Sequence, residues 1–285
     1  MEIKNQIVNL AIQQLQTEDI DDILKNNLFF KEYIEVFNRK ESFIDSMMKN
    51  IISADKGQID YISDKLIEEF KKISKMFCKK GLENNIGLII FIGDGSIDGH
   101  GIIIDNNPYV FIDLSAIIPN ISKYNLSTFM VHETIHALHY DLNKEFYPKN
   151  YLSVEDRFLK KLISEGIATA FSMSTFSMSM ESAYWLGLLD HKDVQEWIFN
   201  CEEMKLDVGK KLSETIINDK FNYDIYCKLF TILKLKELTS YRMGYYYGSQ
   251  IIKTIQPERN NIEILTLDFD EVKKYIYEYF SLRKI

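Results

Sequence analysis

The sequence has few cysteines, and none of them forms a close pair. There are three cysteines, an odd number, and they lie far apart without any C-x-x-C spacing: Cys78, Cys201 and Cys227. A disulfide framework or a redox pair needs cysteines at paired positions, so this pattern is typical of reduced thiols inside the cell. We therefore expect a cytoplasmic protein.

Long apolar segments and clusters of basic residues are also missing. Residues Met1–Ile7 contain no apolar stretch of signal-peptide length, and the run Leu88–Ile92 is far too short to span a bilayer. The formal net charge is −8, and the lysines are mixed among acidic residues. These absences argue against a membrane or a nucleic acid as partner. Export without a leader sequence is the alternative to a cytoplasmic location.

The sequence does have the composition of an ordinary globular protein. Its 285 residues are 46% hydrophobic and 27% charged, which is enough for one large domain or two small ones with a sizeable core. Through residues 1–85 the apolar residues recur at intervals of three and four, which predicts a helical N-terminal region. Residues 86–285 form the second predicted region, in which a small sheet is followed by further helices.

The spacing of apolar residues thus predicts a mostly helical α+β fold with a small mixed sheet. A turn is expected at Asn106-Asn107-Pro108, and Ser122 or Asn125 can cap the first long helix after the sheet. The predicted strands are Ile86–Ile92, Gly101–Ile104 and Tyr109–Leu114, with a short strand or extended piece at Ile262–Leu267. The two helices that bear the candidate ligands are Ser122–Asn143 and one from Ser153 to about Met180.

Three of the five histidines lie close together, in a segment that contains the pattern H-E-x-x-H. The pattern is formed by His132, Glu133 and His136. In a helix, residues four apart lie one turn apart on the same face, so both imidazoles can reach one ion while Glu133 holds a water beside it. The alternative is an ordinary amphipathic helix whose histidines are satisfied by hydrogen bonds.

A third ligand has to come from another segment. His139 lies about 10.5 Å along a straight helix from His132, which is too far to share the ion, and we expect a structural role for it. The longer pattern H-E-x-x-H-x-x-G-x-x-H is absent, because His139 and Leu142 occupy its glycine and third histidine positions. The third ligand is therefore expected to be a carboxylate.

Glu165 is the best candidate among the acidic residues that follow the motif. Its neighbours in Leu162–Phe171 predict a helix buried on most sides, and burying an unpaired carboxylate costs several kcal/mol. A cation or a strong donor is then expected beside it, and the small residues Gly166 and Ala168 let its helix approach the motif helix. The alternative is a glutamate that pairs with a lysine or faces water. The acidic residues considered are Asp141, Glu145, Glu155, Asp156, Glu165 and Glu181.

Two imidazoles and one carboxylate are the ligands of a typical catalytic zinc site, whose fourth position is left to water. Zinc lowers the pKa of that water from about 15.7 to about 7, so a nearby carboxylate can take its proton at neutral pH. The resulting hydroxide can attack a carbonyl. The pattern therefore predicts one Zn2+ ion per chain, with Glu133 as the general base.

These motifs resemble those of the gluzincin metalloproteases, in which two histidines on one helix and a glutamate on the next bind zinc. More narrowly, H-E-x-x-H at His132 followed by E-G-x-A at Glu165 is similar to a bacterial family described as predicted zinc-dependent proteases. A third segment, Tyr241–Gly248, is similar to the later Gly-Tyr and Gly stretch of that family. The likeness covers roughly residues 100–285.

The resemblance implies a zincin-like catalytic region and hydrolysis of peptide bonds in a peptide or protein substrate. Residue by residue, it implies His132, His136 and Glu165 as zinc ligands and Glu133 as the general base. Gluzincins often place a tyrosine or histidine donor on the oxyanion that forms during attack, and Tyr245 is the candidate here. Packing of an aromatic cluster is the alternative role for this tyrosine.

The resemblance also makes predictions about the surroundings of the site. In gluzincins the substrate lies along an edge strand before the zinc helix, which predicts that role for Pro108–Leu114, with an ordinary sheet strand as the alternative. Thermolysin-like gluzincins carry an aspartate four residues after the ligand glutamate to orient a histidine, but this chain has Thr169 there. Asp113, Asp156 and backbone carbonyls are then the possible partners of the histidine N–H groups.

Other classes of protein stay open. One is an inactive zincin-like module that binds a partner without turnover. Another is a different zinc-dependent amide hydrolase, such as a deformylase, whose third ligand is an upstream cysteine; Cys78 lies upstream but lacks the surrounding motif. The glycine-rich segment Gly93–Gly99 predicts a hairpin loop, with a calcium loop as the alternative, and His100 at its edge is expected to be structural.

Overall fold

A computed structural model describes residues 6–17, 20–37, 39, 41–82, 85–232, 234 and 237–282. The chain forms two compact units, Met1–Asp141 and Leu142–Ile285. The architecture is the mostly helical α+β fold with a small mixed sheet that the apolar spacing predicts. Among the described helices, none is both long enough and apolar enough to cross a membrane.

The first unit combines the N-terminal helices with the sheet and ends in the helix that carries H-E-x-x-H. Its strands are β1 (Ile7–Asn9), β2 (Gly87–Phe91), β3 (Gly99–Ile104) and β4 (Asn107–Asp113), and its helices are α1 (Leu10–Gln16), α2 (Ile20–Asn26), α3 (Leu28–Val36), α4 (Glu41–Ser53), α5 (Lys56–Lys79), α6 (Leu114–Ile117) and α7 (Leu126–Leu142).

The strands form one sheet in the order β1-β2-β4-β3 within the described residues. β2 runs parallel to β1 and to β4, whereas β3 pairs with β4 in the antiparallel direction. The β3–β4 hairpin turns at Asp105 and Asn106, which have φ angles of 48° and 61°, and Pro108 already pairs with Ile103. The turn therefore comes earlier than the predicted Asn106-Asn107-Pro108.

The N-terminal region is not helical throughout, so the prediction for its first residues is wrong. Ile7–Asn9 form β1, which pairs in register with Leu88–Ile90 of β2. This pairing joins segments that are distant in sequence, and the local apolar spacing of a short segment cannot reveal it. α1 begins directly after β1, where the side chain of Asn9 accepts the N–H of Ile12.

Aromatic rings and one buried amide hold the sheet to its helices. Phe29 of α3 packs edge-on against Phe91 with ring centroids 4.9 Å apart, and Tyr33 packs edge-on against Phe111 at 5.2 Å. Gln14 of α1 is 1% exposed, and its amide both donates to the carbonyl of Ile92 at 3.0 Å and accepts the N–H of that residue at 2.8 Å. Such pairing satisfies polar groups that burial would otherwise leave without partners.

The second unit is helical throughout its described elements. The helices are α8 (Val154–Ser174), α9 (Met180–Trp185), α10 (His191–Ile217), α11 (Tyr223–Phe230), α12 (Met243–Ile255), α13 (Asn261–Leu265) and α14 (Phe269–Phe280). The strand predicted at Ile262–Leu267 is wrong, because this segment lies largely in α13. A capping box between Asn260 and Glu263 starts that helix and outweighs the preference of its branched residues for a strand.

α8 and α12 cross at two glycines. A Cβ atom added to Gly166 would lie 2.4 Å from the carbonyl carbon of Gly248, and one added to Gly248 would lie 2.2 Å from the carbonyl oxygen of Leu162. No side chain fits in that space. Gly166 therefore serves the close approach of α8 to α12.

Candidate metal site

α7 places the two motif histidines in a buried setting. The side chain of Asn125 accepts the N–H of Thr128 at 3.1 Å near the start of the helix, and residues 128–140 are all buried. His132 and His136 are each 2% exposed, and their Nε2 atoms lie 3.2 Å apart. Two nitrogen ligands about 2.0–2.1 Å from a zinc ion, at the tetrahedral angle, lie about 3.3 Å from each other. The imidazole pair therefore fits a single tetrahedral ion.

The edge strand β3 runs close to α7 beside these histidines. A Cβ atom added to Gly101 would lie 2.5 Å from the backbone of Ala137, and one added to Gly99 would lie 3.2 Å from Cγ of Glu133. Glu133 itself is 5% exposed. Glycine at both positions thus permits a strand-to-helix distance that any side chain would increase.

The predicted role of Pro108–Leu114 as an edge strand is wrong. These residues lie in β4 and the start of α6, and β4 has β2 on one side and β3 on the other. Both of its sides are therefore used by hydrogen bonds to neighbouring strands, which leaves no room for an extended substrate. Among the strands that the structure describes, β3 is the sheet edge on this side.

His100 is a neighbour of the site that the sequence did not reveal. Its ring stacks on that of His136, with centroids 4.5 Å apart and an angle of 18° between the ring planes. Its Nδ1 lies 3.0 Å from the carbonyl oxygen of Gly101, and since a carbonyl only accepts, Nδ1 carries the proton. The flanking glycines Gly99 and Gly101 are the one feature of the sequence that points to a close approach here.

His139 is fully enclosed in the first unit. It is 1% exposed, and burial, followed by the nearby His136, lowers its pKa to about 3. The imidazole is therefore neutral at physiological pH.

Glu165 lies in the middle of α8 and is 3% exposed. The helix starts at Ser153, whose hydroxyl accepts the N–H of Asp156 at 3.1 Å as the sequence predicts, and it ends at Ser174 rather than at Met180. Nζ of Lys161 donates to Oε1 of Glu165 at 3.2 Å. The glutamate therefore has the lysine partner that was considered as an alternative to a metal ion.

Lys161 carries its charge within a partly buried group of polar side chains. Burial by itself lowers its pKa, but the charge of Glu165 and the phenol groups of Tyr226 and Tyr245 raise it, and the net shift of the pKa is upward. The lysine is thus protonated at neutral pH.

His132, His136 and Glu165 form a group of buried residues with the donor atoms that a metal ion needs. Each offers one ligand atom, and these atoms all lie within 4.8 Å of one another. Two imidazole nitrogens and a carboxylate oxygen are a ligand set that zinc accepts. The group could therefore bind a metal ion.

Tyr245 lies in the first turn of α12 and is half-buried. The guanidinium of Arg242 stands over its ring, 4.0 Å from the centroid, and its phenol contributes to the raised pKa of Lys161. The neighbouring Tyr246 and Tyr247 are buried and contact each other edge-on at 5.9 Å. Tyr245 is therefore the member of this tyrosine run that the helix leaves partly exposed.

Asp113 and Asp156, which were considered as partners of the histidine N–H groups, have partners of their own. Both carboxylate oxygens of Asp113 accept backbone N–H groups, Oδ1 from Gly93 and Ser115 and Oδ2 from Gly95. Asp156 lies 3.7 Å from Nζ of Lys160. These partners fix the glycine-rich loop and the first turn of α8.

Thr169 occupies the position that carries an aspartate in thermolysin-like gluzincins. It is completely buried, and its hydroxyl has no hydrogen-bond partner among the residues that the structure describes. A threonine cannot supply the negative charge that an aspartate would have at this position.

The chain matches the model of a known protein family. The model of a family described as predicted Zn-dependent protease (DUF2268) matches residues 90–274, which is well over half of the chain and includes α7, α8 and α12. No curated protein and no solved structure matches the chain. The chain therefore belongs to this family of predicted Zn-dependent proteases.

Proposed function

We propose that the protein is a zinc-dependent peptidase of the gluzincin type. The observation that carries the proposal is the buried group of His132, His136 and Glu165, whose ligand atoms lie within 4.8 Å of one another and include the two histidines of an H-E-x-x-H motif. Membership in a family of predicted Zn-dependent proteases supports the same chemistry.

The residues of the site have separate roles in this proposal. His132, His136 and Glu165 hold the ion, which when bound supplies a Lewis acid and makes water a nucleophile at neutral pH. Glu133, one residue after the first ligand, takes a proton from the attacking water and delivers it to the leaving amine.

The substrate is proposed to be a peptide or protein that reaches the site in extended form. β3 is the sheet edge, and its glycines bring it next to Glu133 and the backbone at His136, so an extended chain added along this edge would place its backbone near the general base. Tyr245 is proposed to donate to the oxyanion. The three free cysteines support a cytoplasmic location for this activity.

Substitution of Glu133 by glutamine tests the mechanism. The wild-type protein should contain about one zinc per chain and cleave members of a quenched fluorescent peptide library, whereas Glu133→Gln should keep the zinc and lose activity by about 10²- to 10⁴-fold, because a general base contributes that much. Zinc is measured by mass spectrometry of the purified protein. Glu145→Gln, at a glutamate whose side chain is 47% exposed, is the control and should stay active.

Three outcomes would contradict the proposal. A folded wild-type protein that takes up no zinc would remove the metal site. An active Glu133→Gln variant would remove the assigned base. A zinc-loaded wild-type protein that cleaves no peptide in the library would favour the inactive zincin-like module.

A further inference from the structure

Arg242 stands at the start of α12 in a strained backbone conformation. Its φ of 57° and ψ of 20° are left-handed, which is unfavourable for a residue with a side chain. The residue before it is held in place, because the indole N–H of Trp197 donates to the carbonyl of Tyr241 at 2.6 Å. Strain of this kind persists only where the surrounding structure imposes it. The fold therefore fixes the direction in which the arginine side chain leaves the backbone.

The guanidinium of Arg242 lies against two aromatic rings. Its Cζ is 4.0 Å from the ring centroid of Tyr245 and 5.3 Å from that of Trp185. The Nε atom of Arg242 and the indole nitrogen of Trp185 are both buried, and neither donor has a hydrogen-bond partner among the residues that the structure describes. Two neighbouring donors thus lack an acceptor.

The charge of Arg242 also has no carboxylate partner in the described part of the chain. The other half-buried arginines, Arg39 and Arg259, pair with Asp94 and Glu271. A guanidinium that is partly withdrawn from water needs such an anion, because desolvation of an unpaired charge costs free energy, and aromatic rings offset only part of that cost. A negatively charged group of a ligand would supply the missing partner.

The start of α12 lies next to the part of α8 that carries Glu165. Gly244, in the first turn of α12, packs against Phe230, since an added Cβ atom would lie 2.7 Å from Cε1 of that ring. Nζ of Lys161, which donates to Glu165, is 5.6 Å from the centroid of the same ring. One aromatic side chain therefore connects the surroundings of the proposed ligand to the turn that begins at Arg242.

We propose that Arg242 binds a carboxylate of the peptide substrate and so makes the enzyme selective for peptides that carry one. The inference rests on the proposed function, because it names a property of that substrate. A guanidinium can form two parallel N–H hydrogen bonds to one carboxylate, whereas an ammonium group acts as a point charge. The carboxylate belongs either to the C-terminus of the peptide or to an acidic side chain.

Arg157 provides a matched control. It lies on α8, and its guanidinium also stands over two rings, 4.4 Å from the centroid of Phe221 and 5.3 Å from that of Tyr226. Its side chain is exposed, however, so water solvates the charge. A change at Arg157 thus removes the same chemical group from two aromatic rings without removing a half-buried cation.

The test uses three quenched fluorescent peptide libraries with the same randomised neutral residues. The first has a free C-terminal carboxylate, the second has a C-terminal amide and one glutamate, and the third has the amide alone. The full-length wild type should cleave the first or the second library with a kcat/KM about 10- to 100-fold above that for the third, as expected for hydrogen bonds to a charged group. The preferred library identifies the source of the carboxylate.

Three variants show whether Arg242 causes this preference. Arg242→Met should abolish it and leave kcat/KM for the third library unchanged, because methionine fills the space beside the rings but carries no charge. Arg242→Lys should retain only part of the preference, since lysine keeps the charge and loses the paired donors. Arg157→Met should resemble the wild type with all three libraries. Each variant should contain as much zinc as the wild type.

The outcomes separate this inference from the proposed function. If the wild type cleaves no library, the proposed function is wrong and the inference is wrong with it. If the wild type cleaves all three libraries equally well, only the role of Arg242 is wrong. The same conclusion follows if Arg242→Met keeps the preference, or if it loses activity equally with all libraries, as a structural role would predict. Should circular dichroism show that Arg242→Met does not fold, Arg242→Gln takes its place, with the same expected loss.

Discussion

The two units each bury a carboxylate, and they hold it in different ways. Asp113 in the first unit is completely buried and accepts three backbone N–H groups at 2.7–2.9 Å, from Gly93, Gly95 and Ser115. Glu165 in the second unit is 3% exposed and accepts from the side chain of Lys161 at 3.2 Å. Neutral donors of the main chain stabilise the first, and a cation stabilises the second.

This difference separates a structural carboxylate from a candidate ligand. The donors to Asp113 belong to the backbone of one loop and of the first turn of α6, so both of its oxygens are committed to the fold. Glu165 is held at one oxygen by a side chain, and it also belongs to the group of ligand atoms. Burial alone therefore does not identify a metal ligand, because Asp113 is as buried as Glu165 while both of its oxygens accept backbone N–H groups.

Replacing Glu165 by alanine should have the largest effect on metal binding. Loss of a direct ligand should weaken zinc affinity by more than about 100-fold, since loss of an orienting partner alone costs about 10- to 100-fold. Chelator competition measures the affinity. Glu155→Ala is the matched control on the same helix, because Glu155 pairs with Lys273 and Tyr277 rather than with a ligand group. Equal zinc affinity in the two variants would show that Glu165 is not the ligand.

The titration of Asp113 should appear in the stability of the protein. Burial raises the pKa of Asp113 to about 6, even though the N–H groups of Gly93, Gly95 and Ser115 lower it. The unfolded chain has a pKa of about 3.9 at this residue, so the folded state binds the proton more tightly. Between these two pKa values the folded protein holds the proton and the unfolded chain does not, so the free energy of unfolding should fall by about 2 kcal/mol as the pH rises from 4 to 7.

Asp113→Asn isolates this contribution, because an amide does not titrate. Urea unfolding of both proteins at pH 4.5, 5.5 and 7.0, followed by circular dichroism, gives the free energies of unfolding. The difference between wild type and variant should change with pH through this range and stay constant above about pH 7. Parallel curves for the two proteins would contradict the raised pKa of Asp113.

Much of the candidate site was predictable because its chemistry lies within single helices. The motif of His132, Glu133 and His136 depends only on the helical period, and the apolar neighbours of Glu165 indicate that its helix is buried. Lys161 was visible as well, since a lysine four residues before a glutamate lies on the same helical face. The structure adds the contact itself, in which Nζ of Lys161 donates to Oε1 of Glu165 at 3.2 Å.

The features that were missed depend on contacts between distant segments. β1 is too short for its apolar residues to show the alternation typical of a strand. It forms because its residues pair with Leu88–Ile90 of β2. The interior place of β4 follows from the strand order, which local spacing does not determine. His100 meets His136 through the approach of β3 to α7, a contact that no short motif encodes.

The smallest expected effect concerns the backbone donors of Asp113. Gly95 has a φ of +76° and donates its N–H to Oδ2 of Asp113 at 2.8 Å, while Gly81 has a φ of +71° and donates to the carbonyl of Cys78 at 3.0 Å. An alanine in this left-handed region costs about 1–2 kcal/mol at either position.

Gly95→Ala should destabilise the protein by about 1 kcal/mol more than Gly81→Ala. When the backbone relaxes to relieve the strain, the N–H of residue 95 turns away from the Asp113 carboxylate, whereas that of residue 81 turns away from a neutral carbonyl. Hydrogen bonds to charged groups contribute more to stability than neutral ones. Steric clashes contribute little to this difference, because an added Cβ atom at Gly95 would lie 3.4 Å from Ser115 and one at Gly81 would have no neighbour within 4 Å. Urea unfolding at pH 7 measures the difference, and zinc affinity should be unchanged in both variants. A Gly95→Ala variant that lost zinc affinity would mean that the Asp113 loop helps to hold the metal site, and the contrast between the two carboxylates would no longer separate structure from metal binding.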